Sequence, residues 1–465
     1  MDCTFEERKA QLEGECVVKM SQFAKCLDRL SSFMIGFVKS LCRQKQRDYA
    51  EKFVAGLCSD LASKNAESIA YHFELERKTI QHFVGESKWD DAPLRAELAK
   101  QIGTQLGEAT GVLIFDPSSF VKSGKESVGV ARQWCGRLGK VDNCQVGLYL
   151  GYASSKGHAL VDGELYLPKA WTDDKTRMKK AGVPKNKRTY KTRHVTFLEL
   201  LERHGKCLPH DWITGDDELG RPIAFRRKLN ALGERYLLAV PCNTKINVLG
   251  EDPVNGEKPQ PPSVRSSVQI RRWVDDQPEE RWAKIDVRDT EKGPLIVELL
   301  KCQVETGRRS PAGIAKEMAI VIRYKDRDRS IVKQDYYLSN AAVTTSESEY
   351  ARAAKAEHRI EECFDRGKGE AGMADYEVRN WTGWHHHQTL SLIASWFLNV
   401  ETRRAEKKDT RDHVQSSPNR GRFGPPSHIR MRFTPRRHGS DHEAAQAKPT
   451  CKAVPLEKTQ SPPAA

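Results

Sequence analysis

The chain contains no apolar run of the roughly 18–20 residues that a membrane-spanning helix requires. Its longest apolar stretches, near residues 33–41 and 390–400, fall well short. The first eight residues, Met1–Arg8, are acidic and hold no apolar signal core, so neither insertion nor export is expected, and the expected compartment is the cytoplasm. Cysteine occurs 12 times but never as Cys-x-x-Cys. With no secretion signal and no zinc-ligand spacing, these read as reduced, mostly buried thiols. A phosphate-binding P-loop is missing too: Gly124-Lys125 lacks the upstream glycine, which excludes an ATPase. Acidic residues are also in deficit. There are 77 Lys and Arg against 63 Asp and Glu, a formal charge of +14, with a pI near 9.1. That excess favours a polyanion, because each cation meeting a phosphate releases condensed counterions.

What is present suffices for several domains: 465 residues, 38% hydrophobic and 30% charged. Residues 1–108 read as an all-α N-terminal domain, with apolar residues three and four apart around 17–43, 47–62, 66–84 and 92–107. Asp90 and Asp91 are candidate caps before Pro93. Residues 66–73 and 78–84 suit either a helix-turn-helix or an ordinary helical hairpin. From 109 to 241 the pattern becomes strand 111–116, hairpin 145–154 with 159–168, helix 194–204, strand 212–216, helix 223–232 and strand 235–241. This is the element order of an RNase H-like mixed sheet, an α/β core in which the first and fourth strands are neighbours. Residues 242–342 read as a β-rich insertion, beginning with a Pro/Gly-rich loop at 250–262 and continuing through strands near 283–287, 295–300, 319–324 and 334–339. Residues 343–400 return to helix, at 347–367 and 389–400. Residues 401–465 are basic and poor in large apolar residues, the composition of a disordered tail.

Three carboxylates stand out in this arrangement. Asp116 ends the apolar run Gly111-Val-Leu-Ile-Phe-Asp116. Asp216 ends Asp211-Trp-Ile-Thr-Gly-Asp216. Glu361 borders the apolar stripe Ala353, Ala356, Ile360, Cys363, Phe364 of a helical stretch. Two strand-end aspartates and a helical glutamate suit two hard divalent cations set against a phosphodiester, with Mg2+ (or Mn2+) held by oxygen ligands. Lys368, two turns after Glu361, shares its face and could hold a phosphate beside the metals. Carboxylates at strand ends are also commonly just solvated, and Asp217, Glu362, Asp365 and Glu370 are near competitors.

Other segments carry secondary signals. Arg132, Trp134, Arg137 and Lys140, among the glycines of 129–145, could grip phosphates and stack an unpaired base, or form a plain hairpin loop. The run 175–193, with Lys179, Lys180, Lys185, Lys187, Arg188, Lys191 and Arg193, could bind a DNA backbone or be a solvated face. Consecutive residues on a helix point in different directions, so His385–His387 are expected in packing and surface roles, not as a chelate.

The chain resembles bacterial DDE transposases of the insertion sequence 701 group from about residue 20 to 400. The resemblance is carried by Asp116-Pro-Ser-Ser-Phe-Val-Lys122, by Gly129-Val-Ala-Arg-Gln-Trp-Cys-Gly-Arg-Leu-Gly-Lys-Val-Asp-Asn-Cys-Gln145 and by Asp375-Tyr-Glu-Val-Arg-Asn-Trp-Thr-Gly-Trp-His-His-His387. It implies Asp116, Asp216 (with Gly220 four residues on) and Glu361 as the metal-binding catalytic triad, and Lys368 as its lysine. It further implies two Mg2+ or Mn2+ ions, terminal inverted repeats and target DNA as double-stranded partners, a homodimer on DNA, and a nucleoid-associated location. Two departures stand. The tyrosine of the related Tyr-Arg-Glu-Lys signature falls at Ala354, so Glu370 stays open as the third ligand. The segment after about Thr402 does not resemble the family's helical end; a frameshift in a decaying element copy would produce such a segment. The alternatives are an inactive or domesticated transposase-derived DNA-binding protein and a plain RNase H-like nuclease.

Overall fold

The computed structural model describes residues 20–249, 267–290, 293–306, 316–325 and 331–415. The loop expected at 250–262 lies outside the described residues, as does the expected tail from 416 onward; the tail's first part, 401–415, is not disordered but continues the last helix.

Five helices come first: Met20–Val38, Gln44–Leu57, Ala66–His72, Arg77–Gly85 and Ala92–Leu106. Their starts follow local chemistry. Asn65 accepts the Ser68 N–H at 2.9 Å, and Pro93 occupies the first turn after Asp91. The short helices 66–72 and 77–85 are joined by a four-residue turn in which Glu74 takes a positive φ of 56°. Their inner faces bury Ile69, Ala70, Ile80, Phe83 and Val84, leaving Arg77, Lys78, Gln81 and His82 exposed. These helices pack on β-sheet and helix together, because Leu30, Phe53, Phe83 and Leu98 share one continuous apolar core with Leu148 and Trp396.

The sheet begins with β1 (Val112–Val121), whose first four residues are buried on both faces. β2 (Ala131–Cys135) forms a hairpin with the start of β3 (Lys140–Ser154), and β4 (Gly157–Leu165) returns along its end. β1 pairs antiparallel with β3 and parallel with β5 (Trp212–Gly215), which pairs parallel with β6 (Tyr236–Ala239). The spatial order β4-β3-β1-β5-β6 is that of an RNase H-like sheet. Helix Arg193–His204, whose Phe197 meets Phe115, covers one face. Helices Glu347–Glu370 and Trp381–Gln415 cover the other.

The inserted strands do not stand apart. β7 (Lys245–Val248), β8 (Val268–Gln269), β9 (Ala283–Thr290), β10 (Gly293–Glu305), β11 (Lys316–Lys325) and β12 (Ile331–Ser339) continue the same sheet, joined where β12 pairs with β6 at Leu338 and Leu238. A second apolar cluster around Trp273, Trp282, Leu300 and Val321 covers one face of that extension. Beneath the junction Glu317 accepts from Arg226 Nε at 2.7 Å and Nη2 at 3.2 Å, from the Tyr236 hydroxyl at 2.6 Å, and from Thr306. The last helix is longer than its apolar core of 389–400. Asn380 takes the Gly383 N–H at 2.7 Å to start it early, and Glu401, bound to Arg29 and Arg404, anchors it beyond residue 400.

Candidate active site

β1 and β5 run parallel with Phe115 beside Gly215, so Asp116, within β1, and Asp216, the first residue after β5, follow next to each other. At the usual strand spacing their Cα atoms are about 5 Å apart. Local chemistry holds the second aspartate. Asp216 caps the short helix Asp217–Gly220, its carboxylate accepting the Leu219 N–H at 3.2 Å. That helix lies flat on β6 because Gly220 has no side chain: a Cβ there would come within 1.8 Å of the Ala239 carbonyl oxygen. Asp217 instead is exposed and faces Arg221 at 3.5 Å.

Helix Glu347–Glu370, started by a Ser346–Glu349 capping box, crosses the sheet along β1. Tyr350 meets Trp212, a Cβ on Gly151 would touch Ile360, and Phe364 packs edge-on to Tyr149, the residue directly opposite Asp116. One flank faces β4. There Glu362 meets His158 at 3.2 Å, and Cys363, Arg366 and Glu370 line a small cavity with His158 and Asn399. The opposite flank faces β5, β11 and β12, where Glu357 helps raise the hydroxyl pKa values of partly buried Tyr324 on β11 and buried Tyr337 on β12. Glu361, one turn after Glu357, is on this flank. It is about half exposed and meets His358 Nδ1 at 3.0 Å. Glu370 lies half a turn round the helix from it, 3.9 Å from Arg366.

Lys368 bridges helix and strand. Its Nζ is 5.6 Å from the ring centres of both Phe120 and Phe364. Burial lowers its pKa and the nearby Arg137 guanidinium adds to this, while Asp365 and Asp116 oppose. Among the described residues no group of three or more His, Cys, Asp or Glu side chains converges closely enough to ligate a metal ion. Asp116 and Asp216 are nevertheless adjacent oxygen donors, and Mg2+ commonly takes one or two carboxylates and fills its shell with water and phosphate oxygens. The donor set fits such a cation.

The other sequence candidates separate. Arg132, Trp134, Arg137 and Lys140 are exposed on the β2–β3 hairpin, whose turn Gly136–Leu138 folds against β1. Lys187 lies 3.7 Å from buried Glu164, and Arg188 donates to the Val183 carbonyl at 2.8 Å, so both are engaged within the fold. The three histidines are buried: His385 faces Glu164 and the Trp381 carbonyl, His386 the carbonyls of Val84 and Trp89, and His387 that of Gly372. Sequence reasoning missed the charge network that His385 joins. Asp162 and Glu164 of β4 are fully buried against Arg95, Arg203 and His204. The signal was legible as two acids two residues apart in an otherwise apolar strand, hence on one face.

Among the described residues no helix is long and apolar enough to cross a membrane. A comparison with curated proteins finds no match. A family described as DDE superfamily endonuclease matches residues 25–294, more than half of the chain, taking in Asp116 and Asp216 and ending before Glu361. Such enzymes act on DNA and generally depend on divalent metal. With a mixed sheet whose parallel strands β1 and β5 bring Asp116 and Asp216 next to each other, this chain belongs to the DDE superfamily endonucleases.

Proposed function

We propose that this endonuclease is a transposase of the insertion sequence 701 group, which binds the terminal inverted repeats of its element, cleaves there and transfers the freed 3′ end to target DNA. The observation that carries the reading is the adjacency of Asp116 and Asp216, with the helix that bears Glu361 and Lys368 packed across β1 and β5. In this reading Asp116, Asp216 and Glu361 would be the residues that hold two Mg2+ or Mn2+ ions. When bound, two such ions supply activation of the attacking oxygen and stabilisation of the leaving one.

The chain's own groups do the positioning. Lys368, packed against the rings of Phe120 and Phe364, offers its ammonium to the phosphate next to the scissile bond. Asp216, fixed by its cap and by Gly220 on β6, presents its carboxylate from a rigid turn. The exposed face of helix Arg77–Gly85, with Arg77, Lys78, Gln81 and His82, suits a duplex groove in the manner of a recognition helix. The net charge of +14 supports a DNA-bound state, and two element ends brought together call for a homodimer on DNA.

The test is strand cleavage of a duplex carrying the element's ends with Mg2+, comparing wild type with Asp116→Asn and Asp216→Asn. Wild-type nicking that falls at least about 1,000-fold in each variant is expected, a loss of roughly 4 kcal/mol of transition-state stabilisation. A wild type that binds the ends and never nicks them would instead establish the inactive, DNA-binding alternative.

A further inference from the structure

The most exposed apolar cluster on the described surface is at the β2–β3 hairpin. Trp134 and Val141 are each 51% exposed, and Leu138 in the turn is 37% exposed. Trp134 and Val141 stand directly opposite each other across the two strands, so their side chains share one face. Other large exposed apolar residues, such as Ile35, Leu232 and Val343, are far apart in the chain and on different elements. An exposed apolar face of this kind, rimmed by polar groups, marks an interaction site.

The surroundings say what that cover is. Arg132, Arg137 and Lys140 flank the apolar face and are exposed, whereas the one acid in the hairpin, Asp142, is turned to Lys140 at 3.2 Å. A flat aromatic ringed by cations matches a nucleobase with its phosphates, since every base offers a face to stack and every linkage a charge to pair. The hairpin also has a definite place in the site. Its turn, Gly136–Leu138, folds against β1, the strand that carries Asp116, and both Arg137 and Asp116 lie close enough to Lys368 to act on it electrostatically. A paired duplex hides its base faces, so an indole can stack only on a base that has left its pair.

We infer that the β2–β3 hairpin is a single-strand clamp, in which Trp134 stacks on an unpaired base beside the scissile phosphate while Arg132, Arg137 and Lys140 hold the flanking backbone. This deepens the transposase reading and rests on it for the identity of the phosphate; it makes the substrate a duplex locally opened at the cut.

The experiment uses the full chain in EDTA, so that cleavage plays no part. Binding of a labelled oligothymidylate and of a duplex of equal length is followed by fluorescence anisotropy for wild type, Trp134→Ala and Trp134→Phe. Trp134→Ala is expected to weaken single-strand binding about 10- to 100-fold, with duplex binding within about 2-fold of wild type and Trp134→Phe recovering most of the loss. Equal losses on both DNAs, or no loss on the single strand, would overturn the clamp. So would a wild-type dimer in light scattering that Trp134→Ala dissociates, which would assign the apolar face to a second copy of the chain. Trp134-dependent strand binding in a protein that never nicks element ends would leave the clamp standing and overturn the transposase reading alone.

Discussion

Glu361 and Glu370 lie on one helix nine residues apart, and their substitution separates two versions of the site. At 100° and about 1.5 Å per residue they differ by half a turn and roughly 13 Å along the axis, so their Cβ atoms are separated by on the order of 15 Å. A cation holding an oxygen at about 2.1 Å cannot exchange one for the other without moving the helix. That helix is held by Tyr350, Ile360 and Phe364 in the core. Both carboxylates are about half exposed, and their partners, His358 at 3.0 Å and Arg366 at 3.9 Å, are exposed as well. Such pairs contribute under about 1 kcal/mol. Glu361→Gln and Glu370→Gln should therefore unfold at nearly the wild-type urea midpoint. Cleavage of element ends should fall at least about 1,000-fold in Glu361→Gln and less than about 3-fold in Glu370→Gln. A cleaving Glu361→Gln beside a dead Glu370→Gln would refute the helix phase argued above.

The junction of insertion and core makes a stability prediction. Glu317→Ala strands a 3% exposed Arg226 and removes the acceptor of Tyr236, so a loss of about 3–5 kcal/mol is expected by urea denaturation; less than 1 kcal/mol would show that the insertion is not cooperatively joined to the core. The buried acids of β4 predict acid sensitivity. Burial alone would raise the pKa of Asp162, but Arg95, His204 and Arg203 outweigh it and hold the carboxyl well below its usual range; His385, Arg95 and Lys187 do the same for Glu164. Their contribution is complete above the ordinary carboxylate pKa near 4 and is lost as pH falls toward the depressed folded values. Thermal midpoints should drop steeply below about pH 4, and Asp162→Asn should lower the midpoint at pH 7 while flattening that drop; an unchanged slope would remove the network from the account.

Much of the core was legible because strand alternation and turn chemistry are local. The run ending at Asp216, the 155–157 turn and the helix that carries Glu361 appear close to where periodicity puts them, but the strand expected to end at Asp116 continues to Val121, because residues 117–121 go on pairing with β3 and leave Asp116 in mid-strand. The strands that escaped notice are short or charged. β2, with Arg132, Gln133 and Trp134, reads as a loop until β3 pairs with it, and β7 and β8 are only four and two residues long. The helix ends shifted for the same reason: Asn380, Glu401 and Arg29 act through contacts that composition does not register.

The sequence by itself determined the element order, the cationic surface and which acids could be ligands, since these depend on neighbours a few residues away. Two things were decided only in the tertiary structure: that Asp216 comes beside Asp116, and that Lys187 is drawn inward to Glu164 while Trp134 is left in water. Each depends on strand register or the burial of a distant charge, and those are settled by packing across hundreds of residues.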